Sequence, residues 1–406
     1  MATASVYSLN RGLRSRLYGL LRAEADPDDV APVQVVITLS EVNGLHGTGP
    51  LVQRICKGWS NVFSIRARND YGGIQDFGQW QVILPQRQRS RTEFFRDVLS
   101  VLRGRNVDTI LCVPYAPDDF MTAIAIRECF GARLCAYLMD DQNVAEHTVS
   151  DALMREFLEH CSLRLTTHPE LRSAYETKYR LPFHLLPAVV PAELVTTEIT
   201  PLPPAGERAK GALIGSFWDQ RWFDRLCNAL SGCGWDIDWF GNNNSPWIDF
   251  APASLATARI NPHGVIPEPQ LANRLKEYPF VIVPVGELND RESNRGVAHL
   301  SLPGRILFAL ATAHTPILIV GSPRTCGARF VQHFEVGVVA PYDSRKLSAA
   351  MDRMNRPDEQ VRMRLNASRI ALTLSDRGVS DWLTASISSG APVDQRFDDL
   401  FAGYQS

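Results

Sequence analysis

The chain lacks the marks of several functional classes at once. Its 406 residues carry 42 Lys and Arg against 44 Asp and Glu, a formal charge of −2, so no overall positive field addresses nucleic acid. No run approaches the roughly 18 to 20 apolar residues of a membrane span, and no signal peptide is expected at the start. The eight cysteines, Cys56, Cys112, Cys129, Cys135, Cys161, Cys227, Cys233 and Cys326, include no Cys-x-x-Cys pair and no metal-ligand spacing with histidine. Several lie inside apolar runs such as Ile110-Leu111-Cys112-Val113, where a reduced thiol is a small core residue, and a reducing cytoplasmic compartment is expected. A Gly-x-Ser-x-Gly elbow, a His-Glu-x-x-His helix, a kinase motif set and a 20-to-50-residue repeat are all missing.

What is present is an ordinary globular balance, 45% hydrophobic and 21% charged, at a length comfortable for two domains of about 150 to 200 residues. From residue 33 short β-rich apolar runs alternate with helical patterns, which predicts parallel βαβ units. The strand-like runs are Val33 to Leu39, Val62 to Arg66, Trp80 to Leu84, Thr109 to Val113, Arg133 to Met139, Leu163 to Thr166 and Phe183 to Leu186. Helical spacing is read in Phe94 to Leu102, Asp118 to Phe130 and Asp151 to Cys161.

Periodicity stops between Pro191 and Lys210, where Pro201, Pro203, Pro204 and Gly206 predict a linker over 191–210. A second series follows. Ala212 to Gly215, Asp236 to Phe240, Phe280 to Val285, Pro316 to Val320 and Gly337 to Ala340 read as strands, with helices at Trp222 to Leu230, Leu271 to Glu277 and Arg305 to Ala313. The expected fold is therefore α/β, two tandem doubly wound Rossmann-like domains facing a cleft, over 1–190 and 211–345. Residues 346–406, helical at Lys346 to Met354 and Glu359 to Leu374, are expected to pack back across them. Leu9 to Leu21 has Arg11, Arg14 and Arg16 among leucines, an amphipathic basic helix that either docks on the first domain or meets the inner face of a membrane.

In doubly wound sheets ligands lie beyond the carboxyl ends of the strands, so the loops there carry the candidates. After the first strand come Asn43-Gly44-Leu45-His46-Gly47-Thr48-Gly49-Pro50, a glycine-rich turn into a helix that lets backbone N–H groups approach a phosphate. It is neither a P-loop nor a dinucleotide fingerprint, and a plain tight turn reads equally well. After Arg133 to Met139 stand Asp140 and Asp141, with His147 nearby, able to act as a general base or to cap the next helix. The second domain opens on Gly215-Ser216-Phe217-Trp218-Asp219-Gln220-Arg221, where Gly215 and Ser216 offer backbone donors and Arg221 a cation. Ser301-Leu302-Pro303-Gly304-Arg305 puts a cation in a first helical turn, against the helix dipole, which favours an anion-binding role. His160, His168 and His333 read as structural or surface residues, and Trp235 and Trp239 as core.

The layout resembles the GT-B glycosyltransferases, in particular the retaining, family 4-like bacterial group that uses sugar nucleotides to build surface polysaccharides and glycoconjugates. Three stretches carry the resemblance: Asn43 to Trp59 looks like the glycine-rich donor-phosphate loop and its helix, Gly215 to Arg221 like the turn that opens the second domain, and Leu302 to Leu318 like the donor-domain segment. The glutamate pair usual in that segment is missing, with Ser301 and Phe308 at its two positions. The resemblance implies transfer of a sugar from a nucleoside diphosphate, UDP or GDP, to a hydroxyl of a glycan, lipid-linked or small-molecule acceptor. It implies that Gly47, Thr48, Gly49, Gly215, Ser216, Arg221, Ser301 and Arg305 face the donor, and that Asp140, Asp141, His147 and His46 supply the acceptor side. Neither a permanent cofactor nor a metal is implied, because helix dipoles and cations serve the leaving diphosphate. Alternatives are a nucleotide-sugar epimerase or hydrolase of the same fold, or a non-catalytic partner or scaffold.

Overall fold

The computed structural model describes residues 31–44, 47–86, 89–199, 210–217, 219–243, 248–288 and 295–404. The basic Leu9 to Leu21 segment and His46 lie outside the described residues. Two compact units make up the chain. One holds the described residues up to Leu186 with Gly378–Gln395; the other holds Pro187–Arg377 and the described residues from Arg396 on.

In the first unit the strands are β1 (Val33–Thr38), β2 (Val62–Arg66), β3 (Trp80–Ile83), β4 (Val107–Val113), β5 (Arg133–Leu138), β6 (Leu163–Thr166) and β7 (His184–Leu185). They form one parallel sheet in the order β3-β2-β1-β4-β5-β6-β7. The central runs VQVVIT and VDTILCV are buried almost end to end, as a sheet covered on both faces requires. Its helices are α1 (Thr48–Ile55), α2 (Arg91–Leu102), α3 (Pro117–Phe130), α4 (Asp151–His160) and α5 (Pro169–Tyr179). Local chemistry starts them: Ser90 and Glu93 form a capping box on α2, Ser150 caps α4, and Pro117 and Pro169 occupy first turns.

The second unit has β8 (Gly211–Ile214), β9 (Ile237–Phe240), β10 (Ile260–Gly264), β11 (Val281–Pro284), β12 (Ile317–Val320) and β13 (Gly337–Ala340), parallel in the order β10-β9-β8-β11-β12-β13. Around them stand α6 (Gln220–Leu230), α7 (Pro252–Thr257), α8 (Glu268–Leu275), α9 (Arg295–Leu300), α10 (Gly304–Ala313), α11 (Cys326–His333), α12 (Ser344–Met354), α13 (Pro357–Ala371) and, after the intervening α14 (Val379–Ser389), α15 (Arg396–Leu400). Strand β10 reads Ile-Asn-Pro-His-Gly, poor in β-formers, and its place at the sheet edge explains why proline is tolerated there and why the pattern hides it. Trp239, fully buried, sits in this unit's core with Phe217, Phe223 and Phe280.

The end of the chain divides differently from one group of back-packed helices. Helices α12 and α13 stay with the second unit, whereas α14 belongs to the first, where Ser380 Oγ accepts from the Gly58 N–H at 3.0 Å and Thr384 Oγ1 from Trp59 Nε1 at 2.9 Å. Much of the expected 191–210 linker is likewise anchored. The Ala192 N–H donates to Asp376 Oδ1 at 2.8 Å, the Thr196 N–H to the Ala311 carbonyl at 3.1 Å, and His314 Nε2 lies 3.1 Å from the Thr196 carbonyl, all within the second unit. Residues 200–209 are outside the described residues. Among the described residues no helix is long and apolar enough to cross a membrane.

Helix α13 is docked by a buried cation. Arg364 has no solvent exposure; its Nε donates to Gln360 Oε1 at 2.9 Å, Nη1 to the Ala313 carbonyl at 3.2 Å and Nη2 to the Tyr278 carbonyl at 2.8 Å. Burial pulls its pKa down to about 10. Replacing it by leucine strands these acceptors, and Arg364→Leu is expected to lower stability by about 2 to 4 kcal/mol in urea titrations.

Candidate functional site

Each sheet has one place where strand order reverses, and the loops there open outward at the carboxyl ends. In the first unit it lies between β1 and β4; in the second, between β8 and β11.

At the first, Gly47 caps α1 and Thr48 begins it, directly after β1. The two glycines on either side of Thr48 are there for different reasons. A Cβ on Gly49 would stand 2.2 Å from the Asn43 carbonyl oxygen, so this glycine permits close packing of helix on loop. A Cβ on Gly47 would meet nothing within 4 Å. Tyr115, which follows β4, was not among the expected site residues. Its hydroxyl lies 3.3 Å from Thr48 Oγ1 and 3.0 Å from Asp140 Oδ2, so residues after three neighbouring strands join in one hydrogen-bonded chain. All three side chains are partly buried. Nothing in the sequence marks a lone tyrosine two residues past a strand; only the strand order brings it between Thr48 and Asp140.

The adjacent carboxylates part company. Asp141, 5% exposed, accepts the N–H groups of Asn143, Val144, Ala145 and Glu146 at 2.6 to 3.1 Å and the Tyr175 hydroxyl at 3.0 Å. A carboxylate has about four acceptor positions, so Asp141 is consumed in shaping its loop. His147 is exposed on that loop with a left-handed φ of 50°. Asp119, 2% exposed in the first turn of α3, accepts the N–H groups of Tyr115 and Ala116 at 2.9 and 3.0 Å, and burial pushes its pKa up to about 6.

At the second place, the turn after β8 is held from three sides. The Gly215 N–H donates to the Phe240 carbonyl at 2.9 Å, Trp239 Nε1 donates to the Gly215 carbonyl at 2.9 Å, and Arg305 Nη1 donates to the Ile214 and Ser216 carbonyls, both at 2.9 Å. Gly215 has φ +82°, and a Cβ there would sit 2.8 Å from Arg305 Nη1. Among the described residues no carboxylate pairs with Arg305, which is partly buried in the first turn of α10. Burial pulls its pKa down to about 10, which leaves it charged at neutral pH. The dipole cost read from sequence is offset by the carbonyls it meets on another element. Thus Gly215, Ser216 and Arg305 come together. Arg221 is exposed in the first turn of α6, its N–H held by Asp219 Oδ1 at 2.7 Å, and Ser301 is partly exposed ahead of α10. Phe308 faces the core at 7% exposure, so this face of α10 carries no carboxylate.

No protein-family model matches the chain, and no curated protein matches it in sequence. Solved structures match in fold. Anabaena Alr3699/HepE, in complex with UDP and glucose, aligns with a TM-score of 0.62 at 12% identity over 88% of this chain and 100% of that one. WaaG, a glycosyltransferase involved in lipopolysaccharide biosynthesis, aligns with a TM-score of 0.57 at 12% identity over 88% and 100%. A UDP-N-acetylglucosamine 2-epimerase aligns at 0.54 and 10% identity over 90% and 98%.

Two outcomes follow from this geometry. Gly215→Ala is expected to lower stability by about 1 to 3 kcal/mol, through left-handed strain and collision with Arg305, whereas Gly47→Ala stays within about 0.5 kcal/mol in the same denaturation series. The raised Asp119 value means the folded state holds its proton over a range where the unfolded chain has released it. Its contribution is full below the ordinary 3.8 and lost as pH rises through about 6. Asp119→Asn should remove that slope from stability measured against pH.

Proposed function

Taking as premise that this chain has the GT-B glycosyltransferase fold, we infer that it transfers a sugar from a nucleoside diphosphate, UDP or GDP, to an acceptor hydroxyl. The observation that carries the reading is Arg305, a partly buried cation without a carboxylate partner among the described residues, fixed on the Gly215–Ser216 turn at the switch point of the second sheet. In the reaction the bond between the anomeric carbon and the diphosphate oxygen breaks, and that oxygen keeps the electron pair. Arg305, with the backbone N–H of Ser216, meets the charge that develops there; the expected Gly215 donor is not available, because its N–H is given to the Phe240 carbonyl at 2.9 Å. In the first unit Asp140 takes the proton from the acceptor hydroxyl as the new carbon–oxygen bond forms. The start of α1, with Gly47, Thr48 and Gly49, is an anion-accepting turn of that unit. Arg221 and Ser301 belong to the rim of the donor region, and His147 to the acceptor side. The acceptor is a glycan, a lipid-linked sugar or a small hydroxyl compound, and the setting is polysaccharide or glycoconjugate synthesis in the cytoplasm.

A ligand that binds only the native state raises its melting temperature, so UDP, GDP and their sugars are screened by thermal shift. One of them is expected to stabilise the wild type. Arg305→Ala, folded by circular dichroism, should lose that shift and lower nucleotide release from the sugar donor by roughly 100-fold or more, with Arg305→Lys intermediate because it keeps charge but not the planar fork. An unchanged rate in Arg305→Ala would remove the assignment. Product analysis without acceptor separates transfer from epimerisation.

A further inference from the structure

Asp140 can serve an acceptor only if its carboxylate is ionised and aimed, and in the first unit the Tyr115 hydroxyl reaches it at 3.0 Å. Proton counting fixes the direction of the chain. The Tyr115 phenol has one proton, and an ionised Asp140 has none, so the phenol donates to Asp140 Oδ2 across 3.0 Å. The phenol oxygen is then an acceptor, and Thr48 Oγ1, 3.3 Å away, must donate to it. Burial, the charge of Asp140 and the neighbouring Tyr137 phenol all raise the Tyr115 pKa well above its ordinary value, which keeps the phenol protonated and donating. Its main chain is tied down as well, because Asp119 Oδ2 accepts the N–H groups of Tyr115 and Ala116. One phenol is thus gripped at its root from α3 and at its tip from the start of α1 and the loop after β5.

We propose that Tyr115 is a positioning residue for the acceptor step: by donating to Asp140 Oδ2 it holds that carboxylate ionised and oriented toward a hydroxyl-bearing acceptor, with Thr48 orienting the phenol in turn. The proposal rests on the transferase reading for its substrate class, but not for its geometry. A hydrogen bond to the charged form of a carboxylate lowers its pKa, so removing the phenolic hydroxyl raises it. Tyr137 on β5 acts on the Tyr115 phenol, Asp118 on α3 and Arg68 after β2 act on Asp119, and none of these groups changes in the variant.

Tyr115→Phe keeps the ring and deletes the donor. The Asp140 carboxyl is followed by carbon NMR against pH in the full chain, its signal assigned from Asp140→Asn. We expect the Asp140 titration to move up by about one unit in Tyr115→Phe, and by less in Thr48→Val. The acid limb of kcat/KM should move with it, with kcat at neutral pH falling about 10-fold, the acceptor KM little changed and the UDP-induced thermal shift retained. An unmoved Asp140 titration in folded Tyr115→Phe overturns the proposal, as does a variant that loses acceptor affinity and UDP stabilisation together. If the titration moves while wild type transfers no sugar from any donor tested, the transferase reading fails and the positioning of Asp140 stands.

Discussion

A guanidinium taken out of water must find either a carboxylate or a set of carbonyls, and the second unit is arranged around the latter solution at Arg305. One nitrogen joins the carbonyls of Ile214 and Ser216, so the first turn of α10 is fixed on the end of β8. That bond in turn requires glycine at 215, since a side chain there would strike the guanidinium. Trp239, buried in the core, supplies the third tie through its indole N–H. The cation is therefore held in place by the end of β8 and the turn after it, which Trp239 braces in turn. Arg364 is the instructive contrast. It has the same burial-lowered pKa of about 10, but all three of its nitrogens are bonded within the protein, and it serves only to dock α13.

Carboxylates in the first unit divide along the same line. Glu41 is 2% exposed and accepts three N–H groups, from Asp70, Tyr71 and Gly73. Burial works to raise its pKa, but those bonds outweigh it and hold the group below the usual carboxylate value. Asp119 and Asp141 are used in the same manner, one for the start of α3 and one for the loop after β5. Each satisfies backbone donors that the carboxyl ends of a parallel sheet leave without partners. Asp140 accepts the Tyr115 hydroxyl at 3.0 Å, whereas Asp141 gives its acceptor positions to four backbone N–H groups and the Tyr175 hydroxyl.

Much of the architecture was legible in the sequence. Central strands such as β4 and β12 are continuous apolar runs because both faces of the sheet are covered, and a pattern of that kind survives any uncertainty about neighbours. Strand β10 and helix α5 were not legible. The first is a polar edge strand with proline, and the second is a charged helix that begins on Pro169 with little apolar periodicity. In the site, Gly215 and Arg305 were readable because a glycine after a strand and a cation against a helix dipole are each locally unusual. Tyr115 was not, since a tyrosine is common in many settings and only its neighbours give it a role.

The sequence by itself determined the alternation of strand and helix, the two-unit organisation and the loops that follow the strands, because periodicity, caps and turn residues act over a few positions. Tertiary structure alone decided which of two adjacent aspartates is committed to the backbone, that Gly49 serves packing while Gly215 makes room for Arg305, and that the phenol after β4 reaches the carboxylate after β5. Those outcomes depend on strand order. Parallel strands adjacent in the sheet bring together loops that lie far apart in the chain, and no local pattern records which loops will meet.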